Sequence, residues 1–129
     1  MRSTILRMAF QIARQPLIRP LVPWMFQSLN FAIPLQRLRE TGSLQAFYHP
    51  APVYPVHILI IPRRAVASLE TMDSRDEAFM IELFGVVQSL VSELGLAQKG
   101  YRLIVNGGSF QDLPLLHFHL VSGEPADRR

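Results

Sequence analysis

The sequence predicts an α+β fold with a mainly antiparallel sheet. Three observations predict it. Short runs of alternating or β-branched residues recur, several joined by turn signals and not by helices. One long segment, Met72 to Leu94, carries a helical period. The resulting order is helix, three strands, helix, two strands, which lacks the strand–helix alternation of a parallel sheet. The chain has 129 residues, enough for one domain with a modest core, and its 49% hydrophobic and 18% charged residues separate it from disordered chains.

In "TILRMAFQIAR", near the N-terminus, Thr4, Arg7, Gln11 and Arg14 form one polar stripe on an otherwise apolar helix, and Pro16, Pro20 and Pro23 end that helix and break up the next stretch of chain. "WMFQSLNFAI", Trp24 to Ile33, reads as a short helix ended by Pro34. "LQRLRE" and "SLQAFY" read as strands on either side of Thr41-Gly42. After the proline-rich loop "PAPVYP", the β-branched run "VHILII" reads as a central strand that stops at Pro62. Asp73 or Ser74 suits the N-cap of the long helix, Asp76 and Glu77 its first turn and Gly95 its C-cap. Its expected buried stripe is Phe79, Met80, Leu83, Val87, Leu90, Val91 and Leu94. "YRLIV" and "LLHFHLV" are the last strands, joined by a loop from Asn106 to Leu113.

The net charge of +3 is unevenly spread. Arg2, Arg7, Arg14, Arg19, Arg37 and Arg39 all precede the first acid, Glu40. A cationic start suggests contact with an anionic surface. Residues 1–23 read as a basic amphipathic extension that either packs on the domain or lies at a membrane interface, with Trp24 and Phe26 suited to the headgroup region. A nucleic-acid arm is disfavoured, because aromatic residues are sparse between the arginines. No run reaches the roughly 18 apolar residues of a membrane span, and no secretory signal is evident. The absence of cysteine fits a reducing compartment. The expectation is a cytoplasmic protein with peripheral membrane contact, an organellar transit peptide being the competing reading.

In "LPLLHFHLVSG", His117 and His119 sit two apart in an apolar run. Strand alternation puts both on one face with Leu115, about 6–7 Å apart at Cα, and turns Leu116, Phe118 and Leu120 to the other. Buried structural histidines are one reading. A metal site from His57, His117 and His119 is a weaker one, since cysteine is absent and no acid stands ready as a fourth ligand. Catalysis is the third, because imidazole serves as nucleophile or general acid near neutral pH. The loop "NGGSFQD" favours the third: glycines let backbone N–H groups approach an anion, and phosphate donors beside an imidazole suit phosphoryl or nucleotidyl transfer.

"YRLIVNGGSFQDLPLLHFHLVSG" resembles the C-terminal half of the histidine-triad (HIT) domain of nucleotide hydrolases and transferases. "IPLQRLRETGSLQAFYHPAPVYPVHILIIPRR", Ile33 to Arg64, follows the family pattern upstream, so the resemblance spans 24–123 and leaves 124–129 as a tail. It implies a HIT-like five-stranded antiparallel sheet with one long helix, here with an N-terminal helical extension, and a homodimer. It implies a purine nucleotide or related small molecule as ligand, with no cofactor and no resident metal. The implied chemistry is attack on the α-phosphorus of a nucleoside phosphoramidate or dinucleoside polyphosphate through a covalent nucleotidyl-histidine. His117 matches the nucleophile, with His119 and His57 as its partners. Asn106, Gly107, Gly108, Ser109 and Gln111 match the phosphate loop, and Phe47 and His49 the nucleoside side.

Three positions depart from the pattern: Leu115 replaces the first triad histidine, His49 stands where many relatives carry a ribose-binding aspartate, and Asp112 follows Gln111. For His49 and Asp112 a solvated loop residue is the competing reading. Two alternatives therefore stand beside the enzyme: a catalytically weakened nucleotide-binding or regulatory module, and a membrane-associated interaction protein. The membrane reading predicts co-sedimentation with anionic phosphatidylserine vesicles that is lost on deleting residues 1–23; a full-length chain that stays in the supernatant defeats it.

Overall fold

A computed structural model describes residues 7–8 and 36–126. The expected helix at 24–33 and most of the extension 1–23 lie outside the described residues, of which Arg7 and Met8 are helical. Five strands form one sheet: β1 (Arg37–Glu40), β2 (Leu44–Tyr48), β3 (Val56–Pro62), β4 (Arg102–Val105) and β5 (Phe118–Ser122). Helix α1 (Glu77–Glu93) and the short α2 (Leu96–Lys99) lie between β3 and β4. The spatial order is β1-β2-β3-β5-β4 and every neighbouring pair is antiparallel. The α+β class and the five strands are as the sequence predicts.

Alternation explains the core. Leu44 and Ala46 of β2, Ile58 and Ile60 of β3 and Phe118 and Leu120 of β5 point to one face. There they meet Phe79, Leu83, Val86, Val87 and Leu90 of α1. Phe79 and Phe118 sit 5.9 Å apart between ring centroids, within the range of favourable aromatic pairs. The opposite face carries a smaller apolar cluster of Phe47, Leu59 and Ile61, and beyond it the histidines.

The helix differs from its expected bounds. Asp73 does cap, accepting the Arg75 N–H at 2.9 Å, but residues 74–76 form a 3-10 turn before α1 begins. Met80 is exposed and Val86 is buried in its place, because Phe79, Leu83, Val86, Val87 and Leu90 recur at i, i+4, i+7, i+8 and i+11 on one helical face, and Met80, next to Phe79, is turned away from it. Gly95 takes φ 64° as the predicted cap, yet the chain makes a further turn, α2, before Gly100 at φ 90° releases it into β4. Pro62 is the last residue of β3 and not the first beyond it, since a strand end needs no further N–H donor there.

Polar contacts lock this scaffold from the side. Glu82 of α1 accepts from the hydroxyls of Thr41 and Ser43, tying the β1–β2 turn to the helix. Arg64, just after β3, grips Asp76 with two bonds of 2.8 and 2.6 Å. Asp76 is only 2% exposed, and the Arg64 guanidinium holds its carboxyl below the usual carboxylate range. Removing one partner of a buried pair leaves the other uncompensated. We therefore expect Asp76→Ala to destabilise the fold by about 2–4 kcal/mol, at the lower end of buried-pair losses because Arg64 is partly solvated. Urea denaturation measures it, and an unchanged midpoint refutes the pairing.

Candidate active site

All four histidines of the chain converge on one region. The sheet register explains it. His119 of β5 lies opposite Leu59 of β3, which puts His57 on the same face one diagonal away. Tyr48 of β2 pairs with Ile58, so the next residue, His49, falls opposite His57, and the His49 N–H donates to the His57 carbonyl at 2.8 Å. Ring centroids are 4.3 Å apart for His49 and His57, 5.1 Å for His57 and His119 and 5.0 Å for His117 and His119. His49 is thus buried, at 9% exposed, and not the solvated loop residue that its proline-rich surroundings suggest. Asp112 is exposed, as the solvated reading expects.

The hydrogen bonds assign a proton to each ring. A backbone carbonyl can only accept, so His117 Nδ1 carries a hydrogen and donates it to the Leu115 carbonyl at 2.7 Å. Its Nε2 then holds the lone pair. His117 sits just before β5, which begins at Phe118, and there the chain bends enough for this contact within one residue pair. The other three rings are wired in the opposite sense. The Ala51 N–H donates to His49 Nδ1 at 2.9 Å and the Val53 N–H to His57 Nδ1 at 3.1 Å. In the neutral form, His49 and His57 therefore carry their protons on Nε2. His57 donates its own to His119 Nδ1 at 2.9 Å, so the proton of His119 is also on Nε2.

These three imidazoles are neutral near pH 7. Burial pushes His49 down to about 3, helped by the neighbouring His57, His119 and His117. Burial lowers His57 to about 4. Burial and then the other imidazoles lower His119 to about 3.

His49, His57 and His119 each bring a nitrogen within 4.8 Å of the others, the spacing of a metal trio. The surrounding hydrogen bonds do not suit a metal. A ligating histidine normally donates its outer N–H to an acceptor, which frees the inner lone pair. Here backbone N–H groups face Nδ1 of His49 and His57, and the inward nitrogens keep their hydrogens.

Asn106 follows Val105, which pairs with Phe118, so the register carries it to the level of His117 on the histidine face. Gly107, Gly108 and Ser109 are exposed beside it, and Gly108 adopts φ 57° to open a 3-10 turn over 108–110. Gln111 commits its amide to the Ala67 carbonyl at 2.6 Å and the Leu113 carbonyl at 2.8 Å. The Leu116 N–H to Val66 carbonyl bond, 2.7 Å, adds a second tie. Together they pin the loop and the His117 backbone to the segment after β3. Phe47 is buried with Leu59 and Ile61, at 1% exposed. The carbonyl of Leu115 is the group that residue types alone do not reveal, since any residue supplies it. The inclusion of His49 in the cluster follows from the β2–β3 register, which carries it opposite His57 across the proline-rich loop.

The HIT domain family matches residues 30–126. The chain belongs to the HIT family. It is 35% identical over 98 residues to an uncharacterized 13.2 kDa HIT-like protein of Azospirillum brasilense, covering 74% of this chain and 80% of that one. Among solved structures it resembles a histidine triad protein from Clostridium difficile, with TM-score 0.70, 29% identity and coverage of 81% and 94%. It also resembles a HIT family hydrolase from Legionella pneumophila, with TM-score 0.68, 28% identity and coverage of 76% and 89%. The fold is that of HIT family hydrolases, as the resemblance implies.

The depressed imidazoles predict an acid-labile fold. Between 6.5, the ordinary value, and about 4 the unfolded chain takes up protons that folded His49, His57 and His119 refuse. Stability should be level above pH 7 and fall steadily below 6.5. Urea midpoints at pH 8, 6 and 5 check this, with a shallower decline expected for His49→Gln; a flat profile to pH 5 overturns it.

Proposed function

We propose that this HIT protein is a nucleotidyl hydrolase or transferase that uses His117 as its nucleophile. The observation that supports this best is the bond from His117 Nδ1–H to the Leu115 carbonyl. It leaves an in-plane lone pair on Nε2 and fixes the ring, which is what an attacking imidazole needs. A backbone carbonyl does the orienting, so leucine in place of the first triad histidine costs a side chain and not the orienter.

In this reading the Nε2 lone pair attacks the α-phosphorus of a nucleoside phosphoramidate or dinucleoside polyphosphate. The bond from phosphorus to the leaving nitrogen or oxygen breaks, and the leaving group takes the electron pair and a proton from solvent. The charge that develops on the nucleotidyl-imidazole is stabilised through Nδ1–H by the Leu115 carbonyl. Water then attacks phosphorus, the P–N bond breaks, its electron pair returns to Nε2, and the water proton passes to solvent. His119 and His57 hold N–H groups beside the reacting atoms, and Asn106 and the loop 107–109 offer donors to the phosphate oxygens. Gln111 acts chiefly by holding that loop, since its amide hydrogens are already engaged. Phe47 shapes the wall against a purine, His49 faces the sugar, and the active form is a homodimer.

The weakened-module reading keeps one observation of its own: the first triad position offers no side-chain donor for a leaving group. Turnover decides between them. Incubation with adenosine 5′-phosphoramidate should release AMP, measured by chromatography. His117→Ala should lower the rate at least ~1,000-fold, the scale of losing a nucleophile. AMP binding without turnover by the unmodified chain supports the module instead, and equal turnover by His117→Ala defeats the role given to His117.

A further inference from the structure

The C-terminal segment after β5 touches the histidine cluster through one residue of the proline-rich loop. The Ala126 N–H donates to the Val53 carbonyl at 2.6 Å. The same residue, Val53, donates its own N–H to His57 Nδ1. His57 donates Nε2–H to His119 Nδ1. Each N–H points toward the next group, from the tail to His119; the Val53 carbonyl and N–H lie on the two peptide units flanking its Cα, so the first bond acts on the second by holding Val53 in place. The last proton can only sit on His119 Nε2.

The packing that starts this path is close. Gly123 turns the chain out of β5 at φ 87°, and a Cβ there would lie 2.6 Å from Cγ and 2.9 Å from Cδ of Pro55. A proline ring cannot swing aside as a flexible side chain would. Gly123 is thus required twice, by its left-handed backbone and by contact with the loop that contains Val53.

We propose that residues Gly123–Ala126 are a positioning strap: by holding the backbone on both sides of Val53 in place they fix the proton of His57, and through it that of His119, on Nε2. His119 then meets its neighbours as a hydrogen-bond donor. The strap acts through neither His117 nor the 106–111 loop, and it stands on the hydrogen bonds alone. A chain without turnover could still possess it.

Long-range proton–nitrogen NMR of the 15N-labelled full chain reads imidazole tautomers directly. The unmodified protein should show His57 and His119 protonated on Nε2 and His117 on Nδ1. Ala126→Pro removes the donor while keeping the residue small and exposed. It should move His57 toward a mixture of tautomers and speed amide exchange at Val53 at least ~10-fold, the loss of about 1.4 kcal/mol of protection. Ala126→Gly keeps the N–H and should match the unmodified chain. Gly123→Ala approaches from the packing side and should reproduce the Ala126→Pro spectrum. Unchanged His57 tautomer and Val53 exchange in both Ala126→Pro and Gly123→Ala overturn the strap. Finding His57 protonated on Nδ1 in the unmodified chain breaks the path at its middle link and overturns it equally. An unmodified chain that shows these tautomers and their shift in Ala126→Pro, yet releases no AMP from adenosine 5′-phosphoramidate, would count against the catalytic reading and leave the strap intact.

Discussion

The register of β3 between β2 and β5 is the constraint on which the rest of the molecule depends. β3 is buried along most of its length and pairs on both edges. Side chains alternate with a period of two, so its register settles two faces at once. One face delivers Ile58 and Ile60 to the helix-covered core. The other delivers His57 between His49 and His119. A slip by one residue would bury the imidazole under α1 and turn Ile58 toward the cluster. The strong apolar demand of the core therefore also sets the geometry of the polar site.

The site is built largely from main-chain groups. The carbonyl of Leu115 orients His117, and the N–H groups of Ala51 and Val53 orient His49 and His57. This division produces two kinds of imidazole from one residue type. The ring facing a carbonyl keeps an inward lone pair, and the rings facing N–H groups keep inward protons. Burial lowers the affinity of the latter for a second proton, so these three close imidazoles coexist without mutual repulsion at neutral pH. The same wiring turns a cluster with metal-like spacing into an array of donors.

Hydrogen bonds from outside the sheet hold these main-chain groups still. Gln111 and the Leu116 N–H tie the strand entry to residues 66 and 67, and Arg64–Asp76 fixes the chain just beyond β3 to the start of α1. Ala126 performs a comparable service for the proline-rich loop. The loops around the cluster are thus anchored where they meet the histidines.

Much of this was legible in the residues themselves. Alternation in "LLHFHLV" and "VHILII" determined which side chains share a face, and the caps at Asp73 and Gly95 marked the helix, because these are local properties of a chain with fixed geometry. The family pattern placed His57, His117 and His119 in one site. Tertiary structure decided what local rules cannot reach: that His49 is buried against His57, that Val86 and not Met80 faces the core, and that an ordinary leucine supplies the orienting carbonyl. It also decided where every imidazole proton sits. That choice depends on which backbone group lies a hydrogen bond away, and the backbone offers the same groups at every residue until the fold brings one of them into place.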